Sequence, residues 1–305
     1  MGKIQYNITY FHPDSLDLSE EVDSLLKVWN QSLSTYIPNS EISRFNRDSC
    51  FTFESQYFLP VLKTSKIVYE NTSGAFDPTV GPLVNAWGFG PDDPNYPDSS
   101  KVDSLRNFIG FDKISFDEKK VCKTIREAQI DFSAIAKGYA VDVVADFIKS
   151  HGVKNVLVEI GGELVCFGDK GNDNPWVAGI EDPDVSIDEQ RLLAKVNLRD
   201  RAMATSGNYR NYYVKDGIKY SHTIDPSTGF PVQRNILSAT VFADDCMTAD
   251  AYATAFMVLG IDGSKKVLEN TMGIDAFLVY STNDGQVEYF TTDGVGSAIE
   301  LINGK

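Results

Sequence analysis

Twice along the chain a helical pattern stops at a glycine and gives way to a strand. Between residues 138 and 151, Val141, Val144, Ala145 and Ile148 recur at helical spacing and Gly152 ends the run. Residues 155–168 then read as strand, broken by Gly161 and Gly162. The order returns later: Ala249 to Leu259 is helical, Gly260 ends it, and Ala276 to Ser281 is strand, with a turn at Asn283, Asp284 and Gly285. Helices and strands each have one apolar side to bury, and the repetition predicts a two-lobed α+β body, a mixed α/β fold in the manner of a diverged duplication. With 42% hydrophobic and 11% aromatic residues, the 305-residue chain can bury a full core, which excludes disorder as its main state. Residues 1–305 are read as a single two-lobed domain.

The remaining elements are simpler. Ile4 to Tyr10 predicts a first strand, and Ser19 an N-cap for a helix whose Val22, Leu25, Leu26, Trp29 and Leu33 share one face. A second helix is expected over Phe58 to Tyr69, ending near Asn71 to Gly74. The run PDDPNYPDSS, residues 91–100, disfavours both helix and strand and reads as a surface excursion.

The charge balance, 28 Lys plus Arg against 43 Asp plus Glu for a net −15, makes nucleic acid an unfavourable partner, because polyanion binding relies on replacing phosphate counterions with basic side chains. The four cysteines, at 50, 122, 166 and 246, have no zinc-site spacing and are expected to be core thiols. No apolar run reaches the ~18 residues of a membrane span, and residues 1–20 lack a basic region followed by an apolar one, so no export signal is read within the chain.

Four segments carry chemistry that plain core packing does not require. GAFDPTVGPLVNAWGFG, residues 74–90, mixes four glycines and two prolines with large apolar side chains, so a specially turned backbone is to be buried and must find internal partners or a ligand. In IDFSAIAKGYAVD, residues 130–142, Asp131, Ser133 and a Lys sit at a helix N-terminus, a natural place for phosphate and equally for a simple cap. In VEIGGEL, residues 158–164, the paired glycines allow close approach to the backbone. The stretch 204–254 holds ATSGNYRNYY, SHTIDPSTGFP and MTADAYATA. Its His222 is one of only three histidines, and Asp250 and Thr254 project from one helix face a turn apart. Two oxygens so placed suit a hard cation such as Mg²⁺ or, equally, local backbone bonds.

Taken together and in order, GAFDPTVGPLVNAWGFG, DFSAIAKGYAVD, ATSGNYR with the following His222 and IDPSTGFP, and TADAYATAFMVLG resemble the signature segments of the bacterial FAD:protein FMN transferases, the ApbE-type flavin transferases. MGKIQYNITY and STYIPNSEISRFN, residues 34–46, are similar to that family's first strand and first flavin-contact region. The resemblance covers essentially the whole chain. It implies an enzyme that binds FAD between two lobes with Mg²⁺, moves FMN to a Thr or Ser hydroxyl of an acceptor protein and releases AMP. By motif, the Ala134 carbonyl, Asp250 and Thr254 would hold the metal. Met1, Tyr36, Ala75, Phe76, Asp77, Asp131, Lys137 and Ile224 would contact FAD, and His222 would act near the acceptor hydroxyl. The family is usually exported, often as a lipoprotein, so a location in the periplasm or at the outer face of the cytoplasmic membrane is expected, with a signal or lipid anchor ahead of Met1 in a longer form and membrane contact only through that anchor.

Two segments depart from the family pattern. Ser133 and Ala134 stand where Gly-Gly is frequent, which a carbonyl ligand tolerates, and Glu163 follows Gly161 and Gly162 where Asp is frequent, which puts that carboxylate's role in doubt. Two other functions use the same residues: a Mg²⁺-dependent FAD pyrophosphatase with water as nucleophile, and a non-catalytic flavin carrier. The carrier needs neither metal nor base, so Asp250, Thr254 and His222 weigh against it.

Overall fold

The structure, a computed structural model, describes residues 4–90, 96–183, 191–207, 212–215 and 218–302. Its centre is a seven-stranded sheet in the spatial order Tyr6–Phe11, Asn155–Ile160, Glu163–Phe167, Arg201–Gly207, Ile236–Ala243, Asp275–Ser281 and Val287–Thr291. Every neighbouring pair in it is antiparallel. Helix Ala136–Ser150 leads into the hairpin of the second and third strands, and helix Cys246–Asn270 into that of the sixth and seventh. An earlier strand, Tyr6–Phe11 or Ile236–Ala243, pairs with the first strand of each hairpin. The two helix-then-strand units of the sequence thus share one topology, and Arg201–Gly207 joins them into a continuous sheet.

Alternate side chains of the central strands bury against different layers. Ala276 and Leu278 belong to the main core with the two long helices, whereas Phe277 and Val279 pack into a second core. Ala202 and Ala204 divide from Met203 in the same way. The second core is closed by a three-stranded sheet of Trp176–Glu181, Leu192–Leu198 and Ile299–Leu301, which contributes Trp176, Ile180, Val196 and Leu198. Burial on both faces gives Ile236–Ala243 and Asp275–Ser281 consecutive buried residues, whereas the outer Tyr6–Phe11 alternates. A third, small cluster holds Leu83, Trp87, Val102, Ile109 and Ile224.

Several expectations need correction. The first strand is Tyr6–Phe11. Ser19 is the first helical residue rather than the cap: Leu18 precedes it, and the Asp17 carboxylate accepts the Ser19 N–H at 3.0 Å. Gly260 breaks its helix with φ 73°, as its position suggested, but the chain resumes helix to Asn270. The loop-like 74–90 segment contains a short helix, Gly81–Ala86, opened by Pro82. In the Pro/Asp-rich run, residues 91–95 lie outside the described residues, while Asp98 caps helix Ser99–Arg106 by accepting the Lys101 N–H at 2.8 Å. The cysteines are not all thiols. Cys50 and Cys122 lie directly opposite in an antiparallel pair and form a disulfide that links positions 72 residues apart. Spacing alone could not show a pairing that depends on two distant strands meeting. Cys166 and Cys246 are buried thiols, as expected.

Candidate active site

The site is built where the two long helices cross. Helix Cys246–Asn270 is capped by Asp245, which accepts the Thr248 N–H at 2.7 Å, and Asp250 and Thr254 follow on its first turns. Asp250 is 3% exposed, and its Oδ2 accepts the Gly138 N–H of the other helix at 2.9 Å. A Cβ at residue 138 would stand 2.2 Å from the Cys246 carbonyl oxygen and 2.8 Å from Asp250 Cβ. Only glycine permits this approach. The same helix supplies Asp142, whose carboxylate accepts the Cys246 and Met247 N–H groups at 2.8 Å each. Burial raises the Asp142 pKa to about 8 against those two bonds. Burial also raises the Asp250 pKa, and it is opposed by the Lys137 charge and the Gly138 N–H.

The segment before helix Ala136–Ser150 is not the open phosphate cradle that its position suggested. The Ile135 and Ala136 N–H groups donate to the Phe132 carbonyl and that of Gly138 to Asp250, so three amides near the helix start are already occupied. Asp131 does not cap the helix. Its Oδ1 accepts the Ser133 N–H at 2.8 Å and hydroxyl at 2.5 Å. What this turn brings to the cavity wall is Ser133, Ala134 and Lys137.

The 74–90 segment satisfies its buried backbone internally. Asp77 Oδ1 accepts the Thr79 N–H at 2.8 Å and the Thr79 hydroxyl at 2.6 Å, and the Thr79 oxygen in turn accepts the Gly110 N–H at 2.7 Å. Burial lifts the Asp77 pKa to about 6 despite those bonds. The Pro78 carbonyl accepts the Asp131 N–H at 2.7 Å, which ties this segment to the 130–137 turn. Asp225, three residues after His222, is held within its own turn by the Ser227 N–H and hydroxyl and by Arg234. His222 is half-buried, with its ring edge-on to Phe89 at 6.4 Å.

These pieces enclose one cavity of about 480 Å³, within the range of small-molecule sites. Tyr36, Ala75, Phe76, Asp77, Asp131, Ala134, Lys137, His222, Ile224, Asp250 and Thr254 all line it. Every site residue expected from the sequence is therefore on its wall except Met1, which lies outside the described residues. Tyr36 is 65% exposed and marks the rim. Glu163, Met203, Thr205, Ser206, Gly179 and Glu181, none of them an expected site residue, also line the cavity. The paired glycines pointed to the first of these and the ATSG run to Thr205 and Ser206. Nothing local marked Gly179 and Glu181, which arrive from the small sheet. Glu163 is buried and pairs with Lys137 at 2.5 Å. Burial, then the Asp250 charge, raises the Glu163 pKa to about 7 against the pull of Lys137.

The ApbE family model matches residues 1–278. The chain belongs to the ApbE family. Among its relatives, the FAD:protein FMN transferase of Vibrio cholerae serotype O1 is 41% identical over 293 residues, covering 93% of this chain and 86% of that protein. The enzyme of the same name from Escherichia coli K12 is 34% identical over 278 residues, 88% of this chain and 78% of that one. The solved flavin transferase ApbE from Vibrio cholerae superposes with a TM-score of 0.85 at 40% identity, covering 94% of this chain and 93% of its own. The apo form of Pseudomonas stutzeri flavinyl transferase ApbE gives 0.82 at 33% identity, with 95% of each chain covered. The mixed α/β architecture is thus that of the ApbE family.

For a metal in an ApbE family member, the wall offers oxygen donors: the Ala134 carbonyl, the Asp250 carboxylate and the Thr254 hydroxyl, which lies 3.3 Å from the Ser206 hydroxyl. Among the described residues there is no cluster of three His, Cys, Asp or Glu side chains. A single buried carboxylate, bonded by its Oδ2 alone and accompanied by neutral oxygens, fits a hard ion that retains water or phosphate oxygens as its other ligands.

Proposed function

We propose that this protein transfers the FMN moiety of FAD to a Thr or Ser hydroxyl of an acceptor protein and releases AMP. The observation that carries this reading is the convergence of the 34–46, 74–90, 130–137 and 222–254 motifs on one cavity. In the reaction the acceptor oxygen forms a phosphoester with the FMN phosphorus, the phosphoanhydride bond breaks, and AMP leaves with the bridging oxygen. His222, on the cavity wall, takes the hydroxyl proton as a neutral imidazole. Lys137 faces the pyrophosphate, and Tyr36, Phe76 and Ile224 offer apolar surface to the flavin and adenine rings. The Ala134 carbonyl, Asp250 and Thr254 would hold Mg²⁺, which when bound neutralises charge on the phosphoryl oxygens as a Lewis acid.

The partners are FAD and an acceptor flavoprotein subunit. An exported location, in the periplasm or at the outer face of the cytoplasmic membrane with a lipid anchor as the membrane contact, is supported by the Cys50–Cys122 disulfide, since such bonds persist in oxidising compartments. The test is incubation with FAD, Mg²⁺ and candidate acceptor subunits. The expected result is covalent in-gel flavin fluorescence on the acceptor and a mass gain of FMN less one water at a Thr or Ser. Free FMN and AMP formed at the same rate with every acceptor, with no fluorescent protein, would replace the transferase by the FAD pyrophosphatase.

A further inference from the structure

Lys137 stands between two buried carboxylates that compete for it. Its ammonium is bonded to Glu163 Oε1, and Asp250 is bound to the adjacent Gly138 N–H; burial lowers the Lys137 pKa, and the Glu163 charge followed by that of Asp250 more than offsets it, leaving it raised. Glu163 is the first residue of strand Glu163–Phe167 and is 3% exposed, so it is a fixed anchor on the sheet. Its second oxygen, Oε2, is buried with no hydrogen-bond partner among the described residues, so Lys137 is the side chain that this carboxylate holds. Asp250 uses only Oδ2 among the described residues, in its bond to Gly138. A lysine side chain is long and has three rotatable donors, and Lys137 has one chain neighbour already touching Asp250. An ammonium released by Glu163 would find an unpaired buried carboxylate beside it, the strongest acceptor within reach.

We propose that Glu163 is a positioning residue that holds Lys137 off Asp250 and so keeps the Asp250 carboxylate open to a divalent cation. The inference rests on the reading of Ala134, Asp250 and Thr254 as the cation's ligands. It gives the Glu163 carboxylate a role that does not require it to touch substrate. An Asp250–Lys137 pair would neutralise the one anionic ligand and occupy its free oxygen, which is a competitive barrier to metal entry rather than a loss of fold.

The test is a double-mutant cycle read as metal binding without turnover: calorimetric Mg²⁺ titration and Mn²⁺ electron paramagnetic resonance on the folded apoprotein. Glu163→Gln keeps the volume and an acceptor oxygen but gives up the charge that holds Lys137, and should weaken cation binding tenfold or more. Lys137→Met should bind the cation at least as well as wild type. The double variant Glu163→Gln with Lys137→Met should recover most of the loss, because no ammonium is left to turn to Asp250. A loss of equal size with and without Lys137 would make Glu163 a ligand or a distant charge and overturn the proposal, and so would no loss at all. If Glu163→Gln does not fold, Glu163→Ala, which also removes the charge, enters the same cycle. Absence of cation binding by wild type would instead overturn the metal reading beneath it.

Discussion

Gly138 donates its backbone N–H to Asp250 Oδ2 at 2.9 Å, a bond that exists only because no side chain separates the two long helices at that point. It couples the fold to the site, since the contact that packs helix Ala136–Ser150 on helix Cys246–Asn270 also orients the carboxylate on the cavity wall.

Gly138→Ala should therefore damage both. The added methyl must displace backbone at Cys246, an overpacking cost of about 1–3 kcal/mol. A urea unfolding midpoint below wild type, together with reduced FMN transfer, is the expected pair of results. An unchanged midpoint would mean that the helices part freely.

Asp250→Asn keeps the size of the side chain but removes the only anion among the proposed metal ligands. Transfer should fall by about 10²-fold or more, the loss expected when several kcal/mol of charge neutralisation go. Calorimetry should show Mg²⁺ binding weakened in parallel. Wild-type turnover at ordinary Mg²⁺ would remove Asp250 from the metal site.

His222→Asn tests the base. FAD binding rests on other wall residues and should be kept, while transfer drops by about 10²–10⁴-fold. Flavin fluorescence titration and single-turnover transfer separate the two effects. Weakened FAD affinity with normal chemistry would make His222 a binding residue.

Asp77 ties stability to pH. Burial raises its pKa from 3.8 to about 6, so the folded state holds the proton more tightly than the unfolded chain does. The resulting stabilisation is full below the ordinary carboxylate pKa and is lost as pH rises to about 6. Asp77→Asn can keep both Thr79 bonds on Oδ1 and does not titrate. From pH 4 to pH 7 wild type should lose on the order of 2 kcal/mol relative to this variant, read from denaturant unfolding at each pH.

The Cys50–Cys122 bond closes a 72-residue separation, for which loop-closure entropy gives up to about 4 kcal/mol. Cys50→Ser with Cys122→Ser should lower the unfolding midpoint, and reductant should lower that of wild type but not of the variant. Equal midpoints for wild type with and without reductant would show that this crosslink contributes nothing measurable.

The sequence by itself determined the parts whose cause is local. Apolar spacing placed both long helices and the strands behind them, and Gly152 and Gly260 both take positive φ as expected, though Gly260 only kinks its helix, because helix and strand periods and positive-φ glycines are properties of a few consecutive residues. Each residue that the motif segments named lies on the cavity wall, apart from Met1, which is outside the described residues. Tertiary structure alone decided which distant groups meet. The Cys50–Cys122 bond needs two strands in register, and the Lys137–Glu163 pair needs a helix start set against a strand end. Gly138 is obligatory only because Cys246 crosses it, and Gly179 and Glu181 reach the cavity only because a second sheet packs on the first. The helix start looked open to phosphate until Phe132 and Asp250 were found to occupy its amides, since a hydrogen-bond donor's availability depends on partners that no local pattern names.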